Sequence, residues 1–145
     1  MRIALGADHA GFALKEHLKR FLAERGVEIL DLGTDSEAST DYPDWAALVA
    51  SAVARGDAER GLLVCGTGVG MAMAANRHRG VRAVPANDLF TVGLARAHND
   101  ANVLALGARI LAPAHAEAVL ARFLETPFEG GRHERRVAKL DGVDS

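Results

Sequence analysis

Short runs of apolar residues alternate along the chain with longer stretches in which apolar residues recur every three or four positions. The short runs are strand candidates and cover residues 2–6, 27–32, 62–65, 81–85 and 103–106. The longer stretches predict helices over residues 10–25, 43–55, 71–77, 88–98 and 113–124, and a short helix ending at Leu140 is expected in the tail. Five strand–helix units therefore follow one another in the sequence.

This alternation predicts a parallel sheet, because consecutive parallel strands need a crossover and the crossover helices then cover both faces. We expect a three-layer α/β/α fold of the doubly wound, Rossmann-like type, with five parallel strands, a C-terminal helical tail and residues 1–145 in a single domain. Ligands of such folds bind beyond the carboxyl ends of the strands. The positions that follow the strands are residues 8–9, 33–34, 65–70, 87–88 and 107–109.

Composition narrows the range of partners. The 145 residues contain 17 Lys and Arg against 19 Asp and Glu, a net charge of −2, which argues against nucleic-acid binding. A single cysteine excludes a disulfide-built fold. No run approaches the roughly 18 uninterrupted apolar residues of a membrane span, and the first residues lack the apolar core of a signal peptide. We therefore expect a cytoplasmic protein without membrane or nucleic-acid partners.

A glycine-rich turn joins the third predicted strand to the following helix. Its residues are Gly66, Thr67, Gly68, Val69 and Gly70. Backbone N–H groups in such a turn can hold an anion or a developing oxyanion. The turn lacks the Lys-Ser/Thr of a P-loop, and Met71 or Met73 stands where a dinucleotide fingerprint needs its third glycine. The alternative is a tight turn that needs glycine only for its backbone conformation.

Cys65 ends the third strand directly before this turn. A thiol that faces the start of a helix forms its thiolate more readily, which makes it a usable base or nucleophile. The alternative is a small buried residue of the core, the usual place of a free cysteine.

Other polar groups each have a functional and a structural interpretation. Asp8 and His9 could act in acid–base chemistry or bind a sugar hydroxyl or phosphate, whereas Asp8 could simply cap the first helix. Arg132 and Arg136 lie four residues apart on one face of the predicted tail helix, which suits a phosphate, although a solvated charged tail is the alternative. His98 follows the fourth helix, where a polar loop is the simpler interpretation. No metal-ligand spacing occurs, so no metal is expected.

In combination, several segments resemble one known family. They are residues 6–12, 40–43, 65–70, 97–104 and 129–133, and they extend from the first strand to the tail. The chain resembles type B ribose-5-phosphate isomerase, within a group that includes galactose-6-phosphate isomerase subunits. The resemblance implies an aldose–ketose isomerisation of a phosphorylated sugar through an enediolate, with no metal or other cofactor. It also implies a homodimer, or a dimer of dimers, with sites where two subunits meet.

The resemblance further implies a role for each matching residue. Cys65 is the base that moves a proton between C1 and C2, and Thr67 and His98 open the furanose ring. The expected substrate contacts are Asp8 and Asn99 to sugar hydroxyls, Tyr42 beside the sugar, and His9, Arg109, Arg132 and Arg136 around the phosphate. Backbone N–H groups of residues 66–70 lie where the oxyanion develops.

The expected reaction is ribose 5-phosphate to ribulose 5-phosphate, a step of the pentose phosphate pathway. Residues 85–90 do not match the ribose enzymes closely, which leaves the identity of the sugar open. The alternatives are a tetrose or hexose phosphate isomerised by the same residues, and a non-catalytic module that binds a phosphate or nucleotide.

Overall fold

The strand–helix alternation of the sequence is present in the computed structural model of the chain, which describes residues 1–142. The strands are β1 (Arg2–Ala7), β2 (Glu28–Asp31), β3 (Arg60–Cys65), β4 (Ala83–Pro85) and β5 (Val103–Gly107). The helices are α1 (Phe12–Glu24), α2 (Tyr42–Arg55), α3 (Val69–Ala75), α4 (Leu89–Ala97), α5 (Pro113–Glu125) and α6 (Arg132–Asp141). Every predicted element is confirmed, with boundaries that differ by a few residues.

The five strands form one parallel sheet in the order β2-β1-β3-β5-β4. The order reverses between β1 and β3, since β2 lies on one side of β1 and the later strands lie on the other. In doubly wound sheets this reversal opens a crevice at the carboxyl ends of the two strands. Asp8 and Cys65 stand at that crevice, because they lie at the ends of β1 and β3.

Successive side chains of each strand point to opposite faces of the sheet. On one face Ile3, Leu62 and Leu104 pack with the apolar sides of α1, α4 and α5. On the other face Ala4 and Leu63 pack with α2 and α3. Both faces are buried, as expected for a parallel sheet between two helix layers. The doubly wound three-layer α/β/α fold is therefore confirmed, and α6 forms the helical tail.

Lys15 is a charged residue of α1 that lies in the interior. Its side chain is only 1% exposed. The ammonium donates to Asp31 Oδ1 and to the carbonyl of Thr34, both at 2.8 Å, so its charge and two of its donors are satisfied below the surface. Helical spacing cannot reveal such a buried ion pair, because its partners lie at the end of β2 and in the loop that follows β2.

Within residues 1–142 none of the helices has the length and apolar character needed to cross a bilayer.

Candidate active site

Cys65 is the last residue of β3, and the backbone of the glycine-rich turn that follows folds back towards its sulfur. The N–H of Gly68 donates to Cys65 Sγ at 3.1 Å. Gly68 has a φ of +87°, and a Cβ at this position would lie 2.9 Å from the carbonyl oxygen of Ala105. Only glycine fits this turn, because both its backbone conformation and its contact with β5 exclude a side chain. The glycine-rich turn thus places an amide donor directly on the thiol.

Cys65 is 6% exposed and belongs to the apolar cluster between the sheet and helices α2 and α3. The side chain therefore packs in the core, as one interpretation expects, and it also accepts a hydrogen bond from the glycine-rich turn, as the other requires. Thr67 and Val69, one and three residues beyond Gly66, are exposed to solvent. The thiol lies at the bottom of the loop, and the loop itself faces outward.

Asp8 and His9 lie beside this loop at the end of β1. The backbone N–H of Asp8 donates to the carbonyl of Val64, at 3.3 Å. One carboxylate oxygen of Asp8 accepts from the N–H of Gly11 at 3.0 Å. Gly11 and not Asp8 is the N-cap residue of α1, so Asp8 closes the turn before the helix and does not cap the helix itself. His9 Nδ1 accepts from the N–H of Thr40, which leaves Nε2 as the donor of the neutral ring.

Tyr42 and Arg109 border the same loop from two other elements. A Cβ on Gly70 would lie 2.6 Å from the ring of Tyr42, so the tyrosine rests on the loop. The guanidinium of Arg109 lies against Gly66, and the Arg109 N–H donates to the Gly66 carbonyl. We call this set the carboxyl-edge cluster, and its members are Asp8, His9, Tyr42, Cys65, Gly66, Thr67, Gly68, Val69, Gly70 and Arg109.

The remaining predicted site residues lie at the opposite edge of the sheet. The segment after α4 returns to the start of the strands, where the N–H of Gly61 donates to the carbonyl of Asn102. Gly61 and Cys65 are four residues apart on one strand, which corresponds to about 13 Å. We call this second set the amino-edge cluster, and its members are His98, Asn99, Glu129, Arg132, His133 and Arg136. One chain therefore does not bring His98 or the tail arginines to Cys65.

A pair of stacked imidazoles organises the amino-edge cluster. The rings of His98 and His133 lie 4.2 Å apart at an angle of 11°. Glu129 Oε1 lies 3.8 Å from His98 Nε2 and 3.9 Å from His133 Nε2. Burial lowers the pKa of His133, and electrostatic repulsion from the neighbouring His98 and Arg132 lowers it further. The sequence-based interpretation gave Glu129 and His133 no role, although both belong to the segment that carries the resemblance.

His98, Glu129 and His133 are also the candidate metal ligands among the described residues, with ligand atoms within 4.8 Å of one another. Ligands of a tetrahedral zinc ion lie about 3.3 Å apart, given zinc–nitrogen bonds of about 2.0–2.1 Å. The two His–Glu separations are wider than this, and the neighbouring arginines repel a cation. The arrangement fits an acid–base group better than a metal site.

Two cavities of the described residues are lined by residues other than Cys65. One of about 430 Å³ lies at the amino edge, where its walls include Arg82, Asn99 and Leu140. Another of about 360 Å³ lies beyond β2, between residues 31–35 and Trp45.

A doubly wound fold with acid, imidazole and guanidinium groups beside a thiol at the strand reversal is typical of an α/β enzyme that acts on a small molecule. A profile of the ribose/galactose isomerase family matches residues 3–140. The chain therefore belongs to this family and is an isomerase.

Similar proteins cover essentially the whole chain. Ribose-5-phosphate isomerase B of Escherichia coli is 46% identical over 143 residues, which cover 99% of this chain and 96% of that protein. The crystal structure of the Thermotoga maritima ribose 5-phosphate isomerase is 48% identical with a TM-score of 0.95, and the match covers 98% of both chains. The Mycoplasma genitalium ribose-5-phosphate isomerase B with bound ribulose 5-phosphate is 40% identical with a TM-score of 0.94, covering 99% and 95%.

Proposed function

We propose that the protein interconverts ribose 5-phosphate and ribulose 5-phosphate through an enediolate, with Cys65 as the base. The position of the Cys65 sulfur carries this proposal. It lies at the strand reversal, accepts the N–H of Gly68, and is bordered by groups that suit a phosphorylated sugar. Family membership favours catalysis over the alternative of a non-catalytic binding module.

The reaction needs one base and a site that accommodates negative charge. The Cys65 thiolate takes the proton from C2 of the open aldose, the C–H electron pair forms the C1–C2 double bond, and the carbonyl electrons move to O1. Backbone N–H groups of residues 66–70 are positioned to stabilise that oxygen. The thiol then returns the proton to C1, while the hydroxyl on C2 passes its proton to O1 and becomes the carbonyl. Each bond broken is balanced by one formed, and no metal is required.

The phosphate supplies binding energy that holds C1 and C2 against the sulfur. His9 and Arg109 reach the carboxyl edge from two loops, and we assign them to the phosphate. Asp8 is assigned to a sugar hydroxyl and Tyr42 to the side of the sugar. Thr67, with the imidazole of His98, is assigned to opening the furanose ring, which must precede removal of the C2 proton.

His98, Asn99, Arg132 and Arg136 can serve this site only if a second chain presents its amino-edge cluster to the carboxyl-edge cluster of the first. We therefore propose a homodimer with two shared sites. The proposal is supported by large apolar side chains exposed near the carboxyl edge and on α4. Val69 is 46% exposed, Met73 66% and Phe90 76%. A second chain that covered these side chains would remove their apolar surface from water, which favours association. A pairing of dimers into a tetramer and a cytoplasmic location stay predictions.

Turnover measured over phosphorylated tetroses, pentoses and hexoses tests the substrate. We expect ribose 5-phosphate to have the highest kcat/KM. A higher kcat/KM for a tetrose or hexose phosphate would make that sugar the substrate instead.

The Cys65→Ala variant tests the base. It should lose isomerisation while still binding a phosphorylated sugar, because the thiol moves a proton and other groups hold the phosphate. Near wild-type turnover in this variant would remove Cys65 from the mechanism.

A further inference from the structure

Asn87 connects the catalytic loop to the neighbouring strand with both ends of its side chain. Its Nδ2 donates to the carbonyl of Thr67 at 3.2 Å, and its Oδ1 accepts from the N–H of Gly107 at 2.9 Å. It lies between β4 and α4.

The carbonyl that Asn87 holds belongs to the peptide group that contacts the thiol. The Thr67 carbonyl and the Gly68 N–H share one planar peptide unit, so fixing the direction of one fixes the other. That N–H donates to Cys65 Sγ at 3.1 Å. A continuous line of hydrogen bonds therefore runs from the Asn87 amide, through this peptide, to the sulfur.

We propose that Asn87 is a positioning residue that aims and polarises the Gly68 N–H and thereby stabilises the Cys65 thiolate. A donor stabilises an anion more than a neutral thiol, and a hydrogen bond to the carbonyl end of a peptide strengthens donation from its N–H end. Cys65 is 6% exposed and packs in an apolar cluster, so the Gly68 N–H is a directed donor beside the sulfur. The inference rests on the proposed role of Cys65 as the base.

Other charged and titratable groups surround the same end of the sheet. They are Asp8 and His9 after β1, Tyr42 at the start of α2, Asp88 at the start of α4 and Arg109 after β5. A change of Asn87 to alanine leaves all of them in place. A shift in thiolate formation in that variant therefore reports the lost relay and not a lost charge.

The test is the pH dependence of alkylation by iodoacetamide. Cys65 is the one cysteine of the chain, so the reaction has no background from other thiols. In Asn87→Ala the midpoint of the rate profile should move up by about half a pH unit or more, which lowers the alkylation rate below the midpoint about threefold. An unchanged midpoint in the folded variant would overturn the proposal.

Asn76 offers a matched control. Its side chain also bridges two backbone groups, since Nδ2 donates to the carbonyl of Ala83 and Oδ1 accepts from the N–H of the same residue. It lies at the far end of α3, remote from the thiol. Asn76→Ala should leave the alkylation midpoint where it is. An equal shift in both variants would show general loosening of the fold and would contradict a specific relay.

A measurement on the unmodified protein covers the case in which Asn87→Ala does not fold. The nuclear magnetic resonance signals of the Gly68 N–H and of the Asn87 side-chain amide should titrate with the midpoint found by alkylation. A Gly68 signal that titrates while the Asn87 signal stays flat would refute the relay. Neither measurement needs turnover, so both are independent of the test of Cys65 as the base. That role would be refuted separately, by an active Cys65→Ala variant.

Discussion

Mixing two inactive variants offers the sharpest test of a site shared between chains. Cys65→Ala damages only the carboxyl-edge cluster, and His98→Ala damages only the amino-edge cluster. The two residues lie at opposite edges of the sheet, about 13 Å or more apart along the strands. In a mixed dimer one site therefore receives both substitutions and the other receives none.

The expected recovery follows from counting sites. If equal amounts of the two variants are unfolded together and refolded, about half of the dimers are mixed, and each has one intact site of two. Activity of the mixture should recover to about a quarter of the wild-type value. Without shared sites, the mixture should have only the average activity of the two separate variants. The assay is the formation of ribulose 5-phosphate after refolding, with the wild-type protein refolded in parallel.

A control mixture uses two residues of one cluster. Cys65→Ala refolded with Asp8→Asn places a damaged carboxyl-edge cluster in every site, so no recovery is expected. If the Cys65 and His98 variants also fail to recover while forming mixed dimers, each site is contained in one chain. In that case the assignment of His98 to ring opening is wrong.

Three further predictions concern the phosphate, metals and acid stability. Arg136→Ala should raise KM about tenfold or more, since a charge-assisted hydrogen bond to the phosphate contributes about 1.5–3 kcal/mol. Arg135 is exposed on another face of α6, so Arg135→Ala should leave KM unchanged. Equal KM values in the two variants would contradict the assignment of Arg136 to the phosphate. Activity should survive EDTA, and a loss that zinc or magnesium restores would contradict the metal-free mechanism. Partial burial raises the pKa of Asp31, but hydrogen bonds from Lys15, Lys19 and the Gly33 N–H outweigh it and hold the pKa below its ordinary value of 3.8. The stabilisation by ionised Asp31 is therefore present above pH 3.8 and is lost as the pH falls through the lower pKa of the folded state. Over that pH range the free energy of unfolding, measured by urea denaturation, should decline less in Asp31→Asn than in the wild type.

The order of strands and helices could be predicted from sequence because it depends on local periodicity. The apolar run before Cys65 and the spacing of apolar residues in α5 are properties of neighbouring positions. Even the end of α2 at Gly56 follows from local chemistry, since Gly56 has a φ of +80° and takes the left-handed conformation that often ends a helix.

Contacts between distant segments could not be predicted in the same way. Lys15 is buried by partners 16 and 19 positions away, and Asn87 binds backbone groups 20 positions away on both sides. No periodic pattern encodes either arrangement. The position of Asn87 after β4 was nevertheless a usable signal, because residues at the carboxyl ends of parallel strands converge on one edge of the sheet.

The division of the site into two clusters has a topological cause. In a doubly wound sheet each strand runs towards the carboxyl edge and the helix that follows runs back to the amino edge. Cys65 follows a strand, whereas His98 follows α4, so the fold separates them whatever their side chains do. The tail helix begins beside His98, as the stacking of His133 shows, and it keeps Arg132 at that same edge. A reaction that uses both Cys65 and His98 on one sugar therefore requires two chains.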